Sequence, residues 1–156
     1  MSATQITIAQ EDPESPAAKA CLRAYFALLA ERIPGITSGH VPDPDPVADA
    51  FRPPRGAFLI ARTAGDVLGC VSLKRHDATT GEIKRLWIAP AAREHGLARR
   101  LMAVIEDEAR ALGFTGLVLD TNAALTEAIA LYRASGWHET DPYTGFPATH
   151  WFAKPL

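Results

Sequence analysis

The stretch from Gly81 to Leu112 constrains this chain more than any other. A strand-like run, Gly81–Ala89, is stopped by Pro90; two alanines follow, and Arg93-Glu94-His95-Gly96-Leu97-Ala98 then leads into a helical pattern over residues 96–112. Strand, tight turn and helix in direct succession put a helix N-terminus at the end of a strand. The first amides of a helix lack intrahelical partners and carry partial positive charge, so this turn offers donors suited to phosphate oxygens. Gly96 lets the backbone approach a ligand or take positive φ. Ala98 keeps the first turn small, and Arg93 adds a cation. Taken alone, the same residues also describe a glycine-containing turn capped by a surface arginine.

The remaining patterns alternate helix and strand. Gln5–Ala9 is a short strand, and Ser15-Pro16 supplies an N-cap and a first-turn proline. Leu22, Tyr25, Phe26, Leu29 and Ile33 then recur at helical spacing, which predicts a helix over 16–33. Residues 36–55 hold Pro42, Pro44, Pro46, Pro53 and Pro54, so a loop is expected with one short helix near Val47–Phe51. That loop is either a substrate wall or a surface loop. Residues 57–61 and 67–73 form a hairpin around Ala64-Gly65-Asp66, and 81–89 continues the meander. Helix 96–112 carries an apolar stripe from Leu97 to Leu112, with Glu106 and Arg110 spaced for an ion pair. A strand at 117–119, a helix at 124–135 and strands at 137–138 and 148–153 follow. The expected fold is α/β: one domain over 1–156, with a mixed, mostly antiparallel sheet of six or seven strands flanked by about four helices.

Composition excludes several classes. The chain has 156 residues, 47% hydrophobic and 22% charged, with net charge −2, so no global basic field recruits nucleic acid. Cys21 and Cys70 lie among apolar neighbours and read as buried thiols, and no metal-ligand spacing occurs. Residues 1–10 lack a basic, apolar leader pattern, and no run approaches the roughly 18 apolar residues of a membrane span. A soluble cytoplasmic protein that binds neither membrane nor metal is expected.

Gly81-Glu82-Ile83-Lys84-Arg85-Leu86-Trp87-Ile88-Ala89-Pro90 followed by Arg93-x-x-Gly96-x-Ala98 resembles motif A of the GNAT superfamily of acyl-CoA N-acyltransferases. Ala128-Ile129-Ala130-Leu131-Tyr132-x-x-x-Gly136-Trp137 resembles its motif B. The resemblance spans about residues 4–154, with its specificity in 82–137. It implies a splayed strand whose backbone at Leu86, Trp87 and Ile88 binds the acyl carbonyl and the pantetheine arm. It places the pyrophosphate of acetyl-CoA on the amides of Arg93, Glu94, His95, Gly96, Leu97 and Ala98, with Arg99 or Arg100 either reaching the nucleotide phosphates or standing in solvent.

Tyr132 corresponds to the family tyrosine beside the CoA sulfur, where a phenol can protonate the departing thiolate. An alkyl ammonium lies about three pK units above pH 7, roughly 4–5 kcal/mol, so a base is needed to free the amine. Glu82, eleven positions before Arg93, matches the general base of some relatives; the alternative is an ion pair with Lys84 or Arg85. The sequence departs from the family where many members carry Asn to hold pantetheine: that position is Leu125. Asn122 either substitutes for it or caps a helix. Tyr143, His150 and Trp151 fall where the fold lines the acceptor cleft; His138 and His150 are either acid–base groups or ordinary surface and core histidines. The implied reaction is direct acetyl transfer from acetyl-CoA to a small-molecule or peptide amine, with a homodimer common in such folds; the rival is a CoA-binding module without catalysis.

Overall fold

The computed structural model describes residues 5–37 and 44–156, so Pro42 of the proline-rich loop lies outside the described residues. In chain order the elements are β1 (Thr7–Gln10), α1 (Pro16–Arg32), β2 (Ala57–Thr63), β3 (Asp66–Arg75), β4 (Thr80–Ile88), α2 (Leu97–Ala111), β5 (Gly116–Thr121), α3 (Thr126–Ala134), β6 (His138–Glu139) and β7 (His150–Pro155). Single 3-10 turns occupy Ala48–Phe51 and Pro90–Ala92. The described residues therefore hold three α-helices rather than about four; the proline-flanked segment at 48–51 closes only one tight turn.

The seven strands form one sheet in the order β1-β2-β3-β4-β5-β7-β6. Every pairing is antiparallel except β4 with β5. β2 reads as a continuous apolar run because both its faces are covered. Ala57, Leu59 and Ala61 join the core beneath α2, while Phe58 and Ile60 pack with Ala18, Cys21 and Leu22 of α1 and Cys70 of β3. A hydrogen bond with Cys21, together with burial, pushes the Cys70 thiol well up, so this thiol stays protonated inside the core.

α1 starts as its sequence indicates: the Ser15 hydroxyl accepts from the Ala18 amide at 3.1 Å, and Pro16 opens the first turn. The Glu106–Arg110 pair does not form. Glu106 lies on the buried face of α2 beside Met102, Ile105 and Ala109, where Lys154 of β7 meets it at 2.8 Å. Arg110 instead bonds Asp107 at 3.0 Å. Removing one partner of such an enclosed pair strands the other charge. Lys154→Met should cost about 3 kcal/mol in urea unfolding, and adding Glu106→Leu should recover most of it.

The strands that set up the site are β4 and β5. Their parallel register covers only Thr80↔Gly116, Gly81↔Leu117 and Glu82↔Val118. Beyond Glu82, β4 leaves β5, which pairs on its other side with β7 all the way to Thr121↔His150. A register shift between Cys70 and Ser72 marks a bulge on β4, where Arg85 takes φ 60°. Ser72 Oγ donates to the Lys84 carbonyl at 2.8 Å and Cys70 Sγ to the Arg85 carbonyl at 3.4 Å, fixing the bulge. The sheet thus opens into a V between β4 and β5.

Candidate active site

Two connected chambers occupy that V. One of about 360 Å³ is lined by Leu86, Trp87 and Ile88 of β4, by Arg93, Glu94, Gly96, Leu97, Ala98 and Arg99, and by parts of α1 and α3. The other, about 470 Å³, lies between β4, β5, α1 and the loop at 144–148. Tyr25, Leu86, Leu125 and Ala128 line both, so the chambers meet at the mouth of the V. Both volumes fall in the range of small-molecule sites.

The first chamber gathers the phosphate-binding candidates. Gly96 caps α2 in the left-handed region at φ 77°, and Glu94 before it stands at φ 68°. Glu94 and Gly96 put two left-handed residues in so short a turn, and turns with left-handed residues present backbone amides to anions. Arg93 also anchors the turn, since its Nε donates to the Ile88 carbonyl at 3.0 Å and ties the segment to the end of β4. Arg99 lines this chamber whereas Arg100 does not, and His95 is exposed outside it. Across the opening, Arg32 of α1 bonds Glu127 of α3 at 2.8 Å, a contact the sequence alone gives no sign of. Leu125, at the family's Asn position, contributes apolar wall to both chambers. Asn122 is occupied internally: Nδ2 donates to the Pro147 carbonyl at 2.6 Å and Oδ1 accepts from the Ala124 amide at 2.8 Å.

Tyr132 is buried in α3 against Trp137 and Phe152, with ring centroids at 6.0 and 5.8 Å, and it lines the second chamber. Its hydroxyl has no hydrogen-bond partner among the described residues. Burial, aided by the Asp120 carboxylate, pushes its pKa well above the ordinary phenol value. Tyr25, where the chambers meet, is pushed up to about 12, mainly by burial and then by Asp120. Both phenols are therefore protonated at neutral pH.

Glu82 is buried at 4% exposure within a ring of donors. Tyr143 Oη donates to its Oε2 at 2.8 Å, Lys84 Nζ lies 3.4 Å from the same oxygen, and Lys74 Nζ lies 3.8 Å from Oε1. Burial first, and Glu82 second, raise the Tyr143 phenol far above its usual value, so it remains a donor. Lys74 and Lys84 line the second chamber, and Glu82 stands behind them. Arg85, its neighbour on the bulge, pairs away from Glu82. It lies 3.8 Å from Asp45 and over the rings of Phe51 and Phe26, at 4.9 and 5.5 Å.

Asp120, at the C-terminal end of β5, lines the second chamber directly. Thr144 Oγ1 donates to its Oδ2 at 2.7 Å while accepting from the Trp151 indole Nε1 at 2.9 Å. Sequence patterns single out neither Asp120 nor Thr144. The available signal was positional, since ligands in sheets of this kind gather at the carboxyl ends of parallel strands. His150 shares its Nδ1 with Thr149 at 2.9 Å and stacks on Phe152; neither it nor His138 lines a chamber. Among the described residues no three His, Cys, Asp or Glu side chains gather as a metal site, and no helix is long and apolar enough to cross a membrane.

The splayed parallel pair with a left-handed turn at its end matches what the sequence resemblance implied, and similarity to known proteins agrees. The family model described as "Acetyltransferase (GNAT) family" matches residues 22–137. The chain is 34% identical over 155 residues to the "IAA acetyltransferase" of Azospirillum brasilense, covering 97% of this chain and 98% of that one. Its fold superposes on a GNAT-family acetyltransferase from Staphylococcus aureus Mu50 with a TM-score of 0.79 at 16% identity, covering 97% and 99% of the two chains. A GNAT-family acetyltransferase from Elizabethkingia anophelis, solved with acetyl-CoA bound, gives a TM-score of 0.67 at 21% identity, covering 97% and 98%. The protein belongs to the GNAT acetyltransferase family. It is an acyl-CoA-dependent acetyltransferase.

Proposed function

We propose that the protein transfers an acetyl group from acetyl-CoA directly to a primary amine within a ternary complex, as one N-acetyltransferase domain over residues 1–156. The observation that carries this is the pair of chambers joined at Tyr25 and Leu86: one bears the phosphate-type turn, and the other bears Tyr132 and ionisable side chains. Pantetheine would run along Leu86–Ile88, the pyrophosphate would rest on the 93–98 amides, and the thioester would reach the meeting point. Much of the rate then comes from holding two reactants in place. Tyr132 serves the departing sulfur. A carboxylate, Asp120 on the cleft wall or Glu82 behind it, serves the ammonium. The two unlinked cysteines fit a reducing cytoplasm.

Acetyl-CoA at 100 times its Kd should raise the melting temperature by about 5–10 °C. A panel of amines, amino acids and peptides should release CoA thiol with at least one member. A thermal shift without thiol release from any member would favour a CoA-binding module. The absence of both effects would remove the donor assignment.

A further inference from the structure

We infer that Asp120 is the residue that takes the acceptor's ammonium and removes its proton, and that the acceptor is a monocationic primary amine on an apolar body. This rests on the acetyl-transfer reading above and assigns the other half of that site.

The charges of the second chamber carry the inference. Its ionisable lining consists of Lys74, Lys84, Arg85, Asp120 and the tyrosines. Each cation has an acidic partner: Lys74 and Lys84 approach Glu82, and Arg85 approaches Asp45. Asp120 has no cation within ion-pair distance among the described residues, only the Thr144 hydroxyl on one oxygen. A carboxylate that lines the cleft, with one oxygen uncommitted, is the group here that an ammonium would complete. The Trp151–Thr144–Asp120 chain holds it in one orientation. Glu82 is placed differently. Tyr143 and two lysines already surround it, and an ammonium arriving there would meet those lysines.

The rest of the chamber describes the acceptor's body. Phe26, Leu29, Val47, Phe51 and Phe146 form its walls and lip. Val47 and Phe146, at 48% and 73% exposure, are large apolar side chains left open at the rim, as expected where an apolar ligand enters.

The step balances simply. Asp120 accepts one proton from the bound ammonium. The neutral nitrogen attacks the thioester carbonyl carbon, forming the C–N bond; the C–S bond breaks as the intermediate collapses. The second nitrogen proton ends on the sulfur, with Tyr132 hydrogen-bonded to the leaving thiolate. Asp120 then returns its proton to solvent, leaving amide, CoA thiol and one free proton.

The test uses the full chain with acetyl-CoA and two probes, 2-phenylethylamine and L-phenylalanine, which differ by a carboxylate beside the amine. Wild type should acetylate phenylethylamine with the higher kcat/KM. Asp120→Asn keeps the shape and should lower that value by about 100-fold or more. It should lose at least tenfold more than Glu82→Gln does, and acetyl-CoA should still raise its melting temperature as in wild type. Thr144→Val, a change at an exposed position, should lower kcat/KM for the amine about tenfold at unchanged KM for acetyl-CoA. This variant keeps the inference testable if Asp120→Asn folds poorly. A greater loss in Glu82→Gln than in Asp120→Asn would overturn the assignment, as would a Thr144→Val enzyme equal to wild type. Preference for phenylalanine, or acetylation of other panel amines but neither probe, would overturn the acceptor class. No thiol release from any amine would instead defeat the acetyl-transfer reading itself.

Discussion

Tyr132→Phe is expected to lower kcat by about 100-fold while leaving acetyl-CoA binding within about twofold. The ring packs on Trp137 and Phe152, and phenylalanine keeps those contacts, so the fold should survive and only the hydroxyl is lost. The surroundings of that hydroxyl bear on the role proposed for it. An ordinary phenol near 10 is about 1.5 pK units above a thiol near 8.5, so complete transfer of its proton to the thiolate is already about 2 kcal/mol uphill. Burial raises Tyr132 further and widens that gap. A hydrogen bond that strengthens as charge develops on sulfur avoids complete transfer, and the proton that finally stays on sulfur comes from the amine. A raised phenol also loses its proton only at higher pH. The kcat profile of the wild type should therefore show no alkaline limb near 10 from this residue. A limb near 10 that vanishes in Tyr132→Phe would argue for an ordinary, ionising phenol instead.

Local patterns carried most of the fold. The Ser15-Pro16 start of α1, the hairpin at Gly65 and the strand–turn–helix at 81–112 are each specified within a few residues, and the structure has them all. What local spacing could not register was the passage of β7. Glu106 and Arg110 have suitable helical spacing, but Glu106 lies on the face that β7 crosses, and Lys154 reaches it first. Tertiary burial outweighed a surface pair worth only a few tenths of a kcal/mol.

The site divides in the same way. The proposed donor turn is compact in sequence, because a turn and a helix start are local objects; Arg93 and Gly96 line one chamber and Tyr132 the other. Even there, the Arg93 bond to Ile88 is a matter of side-chain direction that a motif does not encode. The proposed acceptor half is built from distant segments. Glu82 gains Tyr143 from 61 residues away, and Asp120 gains Thr144 from 24 residues away. An isolated Asp at a strand end matches no motif. What distinguishes Asp120 is the lack of a cation beside it among the described residues, visible only once Lys74, Lys84 and Arg85 are seen turned toward other partners.

Gly96→Val should weaken acetyl-CoA binding by about 10- to 100-fold while sparing a donor that lacks the pyrophosphate, the acetyl thioester of N-acetylcysteamine. Gly96 stands at φ 77° and ψ 9°, a conformation that costs a β-branched residue on the order of 1–3 kcal/mol. A Cβ built there meets nothing within 4 Å, so crowding is not the cause. The valine relieves its strain by rotating the backbone, which re-aims the amides around it. Each 1.4 kcal/mol lost in this way is about tenfold in affinity. Leu86–Ile88 and Tyr132 lie on other elements and are untouched, so a short thioester should react with unchanged kcat/KM. The ratio of the two donors' kcat/KM values is the measurement. A selective fall for acetyl-CoA assigns the pyrophosphate to this turn. An equal fall for both would mean that the glycine supports the reaction centre through the anchoring of β4, and that the phosphates are held elsewhere.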